Sequence, residues 1–105
     1  MACRINSLAA GSTCWVRAQF FDPDEQAVSP TAIVYSVHCL TTGATINAGA
    51  SVTPAQSVDI PITSAENAMR LAENDIEYRR VVVTATHSGG DKHVEIIDYA
   101  VRAVS

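Results

Sequence analysis

Three histidines, His38, His87 and His93, are the side chains of this chain best suited to acid–base work or to holding a metal ion. His38 stands beside Cys39 in a run that alternates like a strand. The two side chains therefore point to opposite faces and cannot grip one ion. His87 and His93 flank the turn Ser88-Gly89-Gly90-Asp91 and can approach diagonally, but two ligands without a third make a poor zinc site. They read as polar residues of a hairpin, and no metal is expected.

The carboxylates gather in two stretches, Asp22, Asp24 and Glu25, and Glu73, Asp75 and Glu77. Neither has the spacing of a calcium loop, so both read as solvated acidic surface. A glycosidase pair would need a cleft, which a small sandwich filled by its own side chains is not expected to have. No serine lies in a GxSxG-like elbow and no glycine-rich phosphate loop follows a strand. The expectation is a protein without catalytic residues and without a cofactor. Cys3, Cys14 and Cys39 lack CxxC spacing and are expected as reduced thiols, with a Cys14–Cys39 disulfide as the alternative.

The elements that must carry these residues are strands. From Thr13 to Phe21 the chain alternates, placing Cys14, Val16, Ala18 and Phe20 on one face. Phe21 to Gln26, with Pro23 between two aspartates, has turn chemistry. Ala32 to Leu40 is rich in β-branched residues, with Ile33, Tyr35, Val37 and Cys39 sharing a face. A short strand is expected around Thr45 to Asn47, followed by a loose Gly, Ala and Ser stretch. Val58, Ile60 and Ile62 form the inward set of Ser57 to Thr63, where Pro61 demands an edge position.

Thr63-Ser64-Ala65-Glu66 matches a capping box, so a short helix is expected from Thr63 through about Leu71. Tyr78 to His87 and Lys92 to Val104 then form a hairpin. Its second strand would turn Val94 and Ile96 inward first and Ile97, Tyr99 and Val101 afterwards, across a bulge near Ile96 to Asp98. The whole reads as an all-β, immunoglobulin-like antiparallel β-sandwich of about seven strands, with one short helix between the fifth and sixth.

At 105 residues the chain fits one domain, divided as an N-terminal arm over residues 1–11 and the sandwich over residues 12–105. Seven Lys and Arg against eleven Asp and Glu give a net charge of −4, which repels a phosphate backbone, so no nucleic acid is expected as a partner. No apolar run is long enough to span a bilayer or to act as a signal peptide, and a soluble protein made in a cytoplasm is expected. Candidate partner contacts are Ile5 and Leu8 of the arm, and Trp15 and Phe21, which face away from Cys14 and Val16. The arm would lie on a neighbouring subunit or pack back as an extra edge strand.

Ser12-Thr13 through Val16-x-Ala18-x-Phe20, the acidic turn, Val28-x-Pro30-Thr31, Val34-Tyr35-x-Val37, Thr42-Gly43 and Thr53-Pro54 make a pattern that continues along the chain. Ser57-Val58-x-Ile60-x-Ile62, Asn67-Ala68 and Glu77-x-Arg79-Arg80-Val81-x-Val83-x-Ala85 complete it. Over nearly its whole length the chain thus resembles small immunoglobulin-like structural proteins of tailed bacteriophages. The resemblance implies a virion component, made in the host cytoplasm, on the capsid surface or near the head-to-tail junction. A capsid decoration or cement protein is the first expectation, bound to the major capsid protein or other virion proteins in many copies or as a homo-oligomer. A neck or tail component is the second, and a carbohydrate- or receptor-binding module stacking through Trp15, Tyr35 or Tyr99 is the alternative of another class.

Overall fold

The computed structural model describes residues 8–22 and 24–103. Ile5, Pro23 and Val104, which the sequence placed in an arm, a turn and the end of a strand, lie outside them. Among the described residues seven strands follow one another: β1 (Leu8–Ala9), β2 (Cys14–Gln19), β3 (Ala32–Cys39), β4 (Thr45–Val52), β5 (Ser57–Ile62), β6 (Ile76–Thr86) and β7 (Lys92–Arg102). They form a five-stranded sheet in the order β1-β7-β6-β3-β4 and a two-stranded sheet of β2 and β5. All pairings are antiparallel except β1 on β7.

Alternation explains how the sheets meet. Val16, Ala18 and Phe20 of the β2 segment and Val58, Ile60 and Ile62 of β5 are buried. So are Ile33 and Val37 of β3, Val81, Val83 and Ala85 of β6, and Ile97, Tyr99 and Val101 of β7. One core joins both sheets, and burial of these side chains is its main stabilising term. Pro61 of β5 pairs with Trp15 in a two-stranded sheet whose strands each keep a free edge, so its missing N–H breaks no central ladder.

Four expectations change. The helix after Thr63 does not form. The capping box itself does: Thr63 N donates to Glu66 Oε1 at 3.0 Å, and Glu66 N donates to Thr63 Oγ1 at 3.3 Å. One turn closes with Asn67 N on Thr63 O at 3.1 Å. The chain then leaves helical geometry because Asn67 is pulled into the core and the Glu77 carboxylate takes the N–H groups of Arg70 and Leu71.

β4 is longer than expected, reaching Val52, and an irregular register against β3 between Tyr35 and His38 absorbs its loose composition. The β6–β7 ladder runs without interruption from Ile76↔Arg102 to Thr86↔Lys92. With no bulge to switch faces, Val94 and Ile96 point outward and are more than half exposed, while His93 and Glu95 share the inward side with Ile97. Finally, Cys14 is disulfide-bonded rather than a reduced thiol, and Cys39 is a free buried thiol, so the two do not pair.

A candidate binding cleft at the hairpin end

The charged and polar groups that enter the interior lie at one end of the sandwich. Asn67, Glu77 and Arg79 are all 0% exposed. Glu77 and Arg79, two residues apart on β6, face inward together, and Arg79 Nη1 donates to Glu77 Oε1 at 2.8 Å. Arg79 also donates to Ala68 O at 2.7 Å and to Cys39 Sγ at 3.3 Å, while its Nε has no acceptor among the described residues.

Glu77 accepts from the amides of Arg70 and Leu71, both at 2.9 Å, and from Asn74 Nδ2 at 3.0 Å. Burial pushes its carboxyl up, but these donors and Arg79 outweigh burial and bring it down to about 2. Asn67 is held by donating to Ser12 O at 2.8 Å and accepting from Tyr99 Oη. Burial pushes the Tyr99 hydroxyl up to about 12. Every strong partner in this cluster is another part of the same chain, so its chemistry is that of a fastener: it pins the β5–β6 connection to the sheets. Capping-box spacing hid it, because the sequence around Thr63 signals only a local helix start.

The other end is built differently. β6 carries the chain roughly 30 Å from Glu77 to His87 at strand rise. There the β6–β7 hairpin faces the β2–β3 connection across an open cleft of about 550 Å³. The hairpin side supplies His87, Ser88, Asp91 and His93, and the other side Gln19, Phe20, Phe21, Asp22, Val28 and Ser29. Both imidazoles stand edge-on to the buried Phe20 ring, each with its centroid 6.3 Å away.

Both walls are shaped by backbone hydrogen bonds. In the hairpin, His87 N donates to Asp91 O at 2.7 Å and Gly90 N to His87 O at 3.0 Å; Gly89 and Gly90 adopt φ of 91° and 89°. In the opposite wall Asp22 Oδ1 accepts from the amides of Asp24 and Gln26, both at 2.9 Å, and Phe21 bridges to Ala27. This Asx-type turn holds the strained Glu25 at φ 64°.

The cleft corrects the expectation that such a small sandwich has none. It opens at the end of the sandwich, where the tip of β2 and the segment after it face the β6–β7 hairpin. His87 and His93, expected as polar hairpin residues able to approach diagonally, both stand against the Phe20 ring. No group of three His, Cys, Asp or Glu side chains able to hold a metal ion occurs among the described residues.

Of the candidate partner contacts, Leu8 is 2% exposed and belongs to the core through β1. Trp15 is 43% exposed on the outer side of β2, and Phe21 is 58% exposed at the cleft. Ile5 lies outside the described residues. Tyr99 is buried and Tyr35 half-buried, which leaves Trp15 as the open ring of the three suggested for stacking.

Two further ion pairs among the described residues are exposed. Arg17 on β2 meets Asp59 on β5 at 2.8 Å, and Arg80 on β6 meets Asp98 on β7 at 2.8 Å. Each arginine, by its hydrogen bonds, holds its carboxylate below the usual range. Comparison with known protein families, curated proteins and solved structures finds no match to this chain.

Proposed function

We propose that the chain is an immunoglobulin-like structural protein of a tailed-phage virion, working through protein–protein contacts as a decoration or cement protein of the head. Strand order supports the fold reading. β7-β6-β3-β4 facing β2-β5 matches the G-F-C-C′ sheet of a variable-type sandwich set against its B and E strands. Glu77 also stands near the start of the strand equivalent to F and fastens the preceding connection by backbone hydrogen bonds, as the tyrosine corner does in that fold.

The observation that carries the functional reading is an apolar strip on the outer face of the five-stranded sheet. Val34, Thr84 and Val94 stand in one row across β3, β6 and β7, and Ser36, Val82 and Ile96 in the next. Val34, Val94 and Ile96 are 41, 54 and 56% exposed. Exposed apolar side chains gathered on one sheet face favour a protein-contact surface. A small module gains overall affinity from many copies on a symmetric shell.

Quantitative mass spectrometry of purified particles tests the assignment. Hundreds of copies per particle are expected. A dozen or fewer would move the chain to the neck or tail, and its absence from particles would overturn the virion reading. Ile96→Asp, on the outer face, should lower incorporation without unfolding the domain.

A further inference from the structure

We propose that the cleft between the β6–β7 hairpin and the β2–β3 connection is a receptor for an arginine side chain presented by a partner protein, together with one flanking apolar residue. This rests on the protein-binding part of the proposed function and not on the virion assignment.

Charge is the first argument. Asp22 and Asp91 lie on opposite walls of the cleft, and no lysine or arginine lines it among the described residues. Lys92, the nearest in sequence to the hairpin wall, pairs with Thr86 on the outward side of the sheet. A group entering between two carboxylates is favoured if it is cationic, and a guanidinium can bond carboxylates through paired N–H groups.

Shape is the second. Phe21 is 58% exposed at the rim, a ring on which a planar guanidinium stacks better than an ammonium does. Phe20 and Val28 give an apolar lining, with His87 and His93 braced against the Phe20 ring. The volume of about 550 Å³ exceeds what one ion needs and lies in the range of sites that enclose a group of small-ligand size. An arginine head between the carboxylates with a neighbouring apolar side chain on Phe20 and Val28 uses both features.

The test is a titration of the full chain, followed by ¹H–¹⁵N NMR, with N-acetyl-leucyl-arginine amide and with its citrulline counterpart, which keeps the shape and removes the charge. Saturable shifts confined to residues 19–29 and 87–93 are expected below about 20 mM peptide, with the arginine form at least about tenfold tighter and weakened by added salt.

The double variant Asp22→Asn, Asp91→Asn should weaken binding by at least about tenfold. The asparagine side chain introduced at position 22 keeps an Oδ1 acceptor to cap the turn, so unchanged shifts elsewhere in the spectrum check the fold. Phe21→Ala should weaken binding as well, at a position too exposed to matter for folding. Equal affinity for the two peptides would overturn the proposal, as would undiminished binding by the double variant or equally tight saturation by a neutral disaccharide. Copy number in particles is a separate readout, so failure here and failure of the virion assignment can be told apart.

Discussion

Removing the Glu77 carboxylate should unfasten one end of the sandwich. In Glu77→Ala the buried Arg79 guanidinium keeps only Ala68 O and Cys39 Sγ as partners, and the amides of Arg70 and Leu71 lose their acceptor. Breaking a buried ion pair from one side typically costs about 3–5 kcal/mol, a large share of the stability of a domain this size.

An independent magnitude comes from the proton. Glu77 falls from its ordinary 4.5 to about 2, which corresponds to at most about 3 kcal/mol, and to roughly 2 once solvent screening beneath a single connecting segment is allowed for. The depressed carboxyl contributes its full stability above about pH 4.5 and loses it as the pH falls towards about 2. Urea unfolding at pH 7, 5 and 3 measures both effects. The wild type should lose stability steeply over the acid range, Glu77→Gln should start lower and lose less, and Glu77→Leu with Arg79→Leu should recover much of the deficit. A Glu77→Ala loss under about 1 kcal/mol, or a Glu77→Gln acid profile parallel to the wild type, would refute the reasoning.

Three further outcomes follow from the packing. Tyr99→Phe should cost about 1–2 kcal/mol by leaving Asn67 Oδ1 without its buried donor. Because Tyr99 is raised to about 12, the wild type should also lose stability between about pH 10 and 12, a loss the variant lacks; equal alkaline profiles would contradict the burial of this hydroxyl. Val94→Thr and Ile96→Thr should each shift stability by less than about 0.5 kcal/mol, whereas Ile97→Ala should cost about 2–4 kcal/mol. Reversal of that order in thermal or urea unfolding would restore the bulged register. Gly90→Ala, at φ 89°, should cost about 1–2 kcal/mol, and a neutral result would mean a different hairpin turn.

Where one physical signal dominates, the sequence is a good guide. Strict alternation at Cys14, Val16, Ala18 and Phe20 and at Val58, Ile60 and Ile62 placed both strands of the smaller sheet on their correct faces. The glycines of Ser88-Gly89-Gly90-Asp91 located the hairpin. Errors arose where local and long-range signals compete. Thr63 to Glu66 carries a true capping box, but continuation of the helix is decided by Asn67 meeting Ser12 and Tyr99, 55 and 32 residues away.

Val94 and Ile96 look like core because they are apolar. Yet the period-2 phase set by Ile97, Tyr99 and Val101 forbids it, and His93 and Glu95 take the inward side near the open hairpin end. The cleft was illegible for a related reason. His87 and His93 gain meaning only from Phe20, Phe21 and Asp22, which β2 brings to the same end through pairings no local window contains.

For the proposed virion role, a cryo-electron microscopy map of tailed-phage particles assembled with this chain is the most direct test. The expected result is density for this sandwich repeated across the head surface, touching its neighbours through the Val34, Val94 and Ile96 face and holding an arginine in the hairpin-end cleft. Particles without this density, or a copy whose outer strip is bare while some ligand sits between the two sheets, would contradict it.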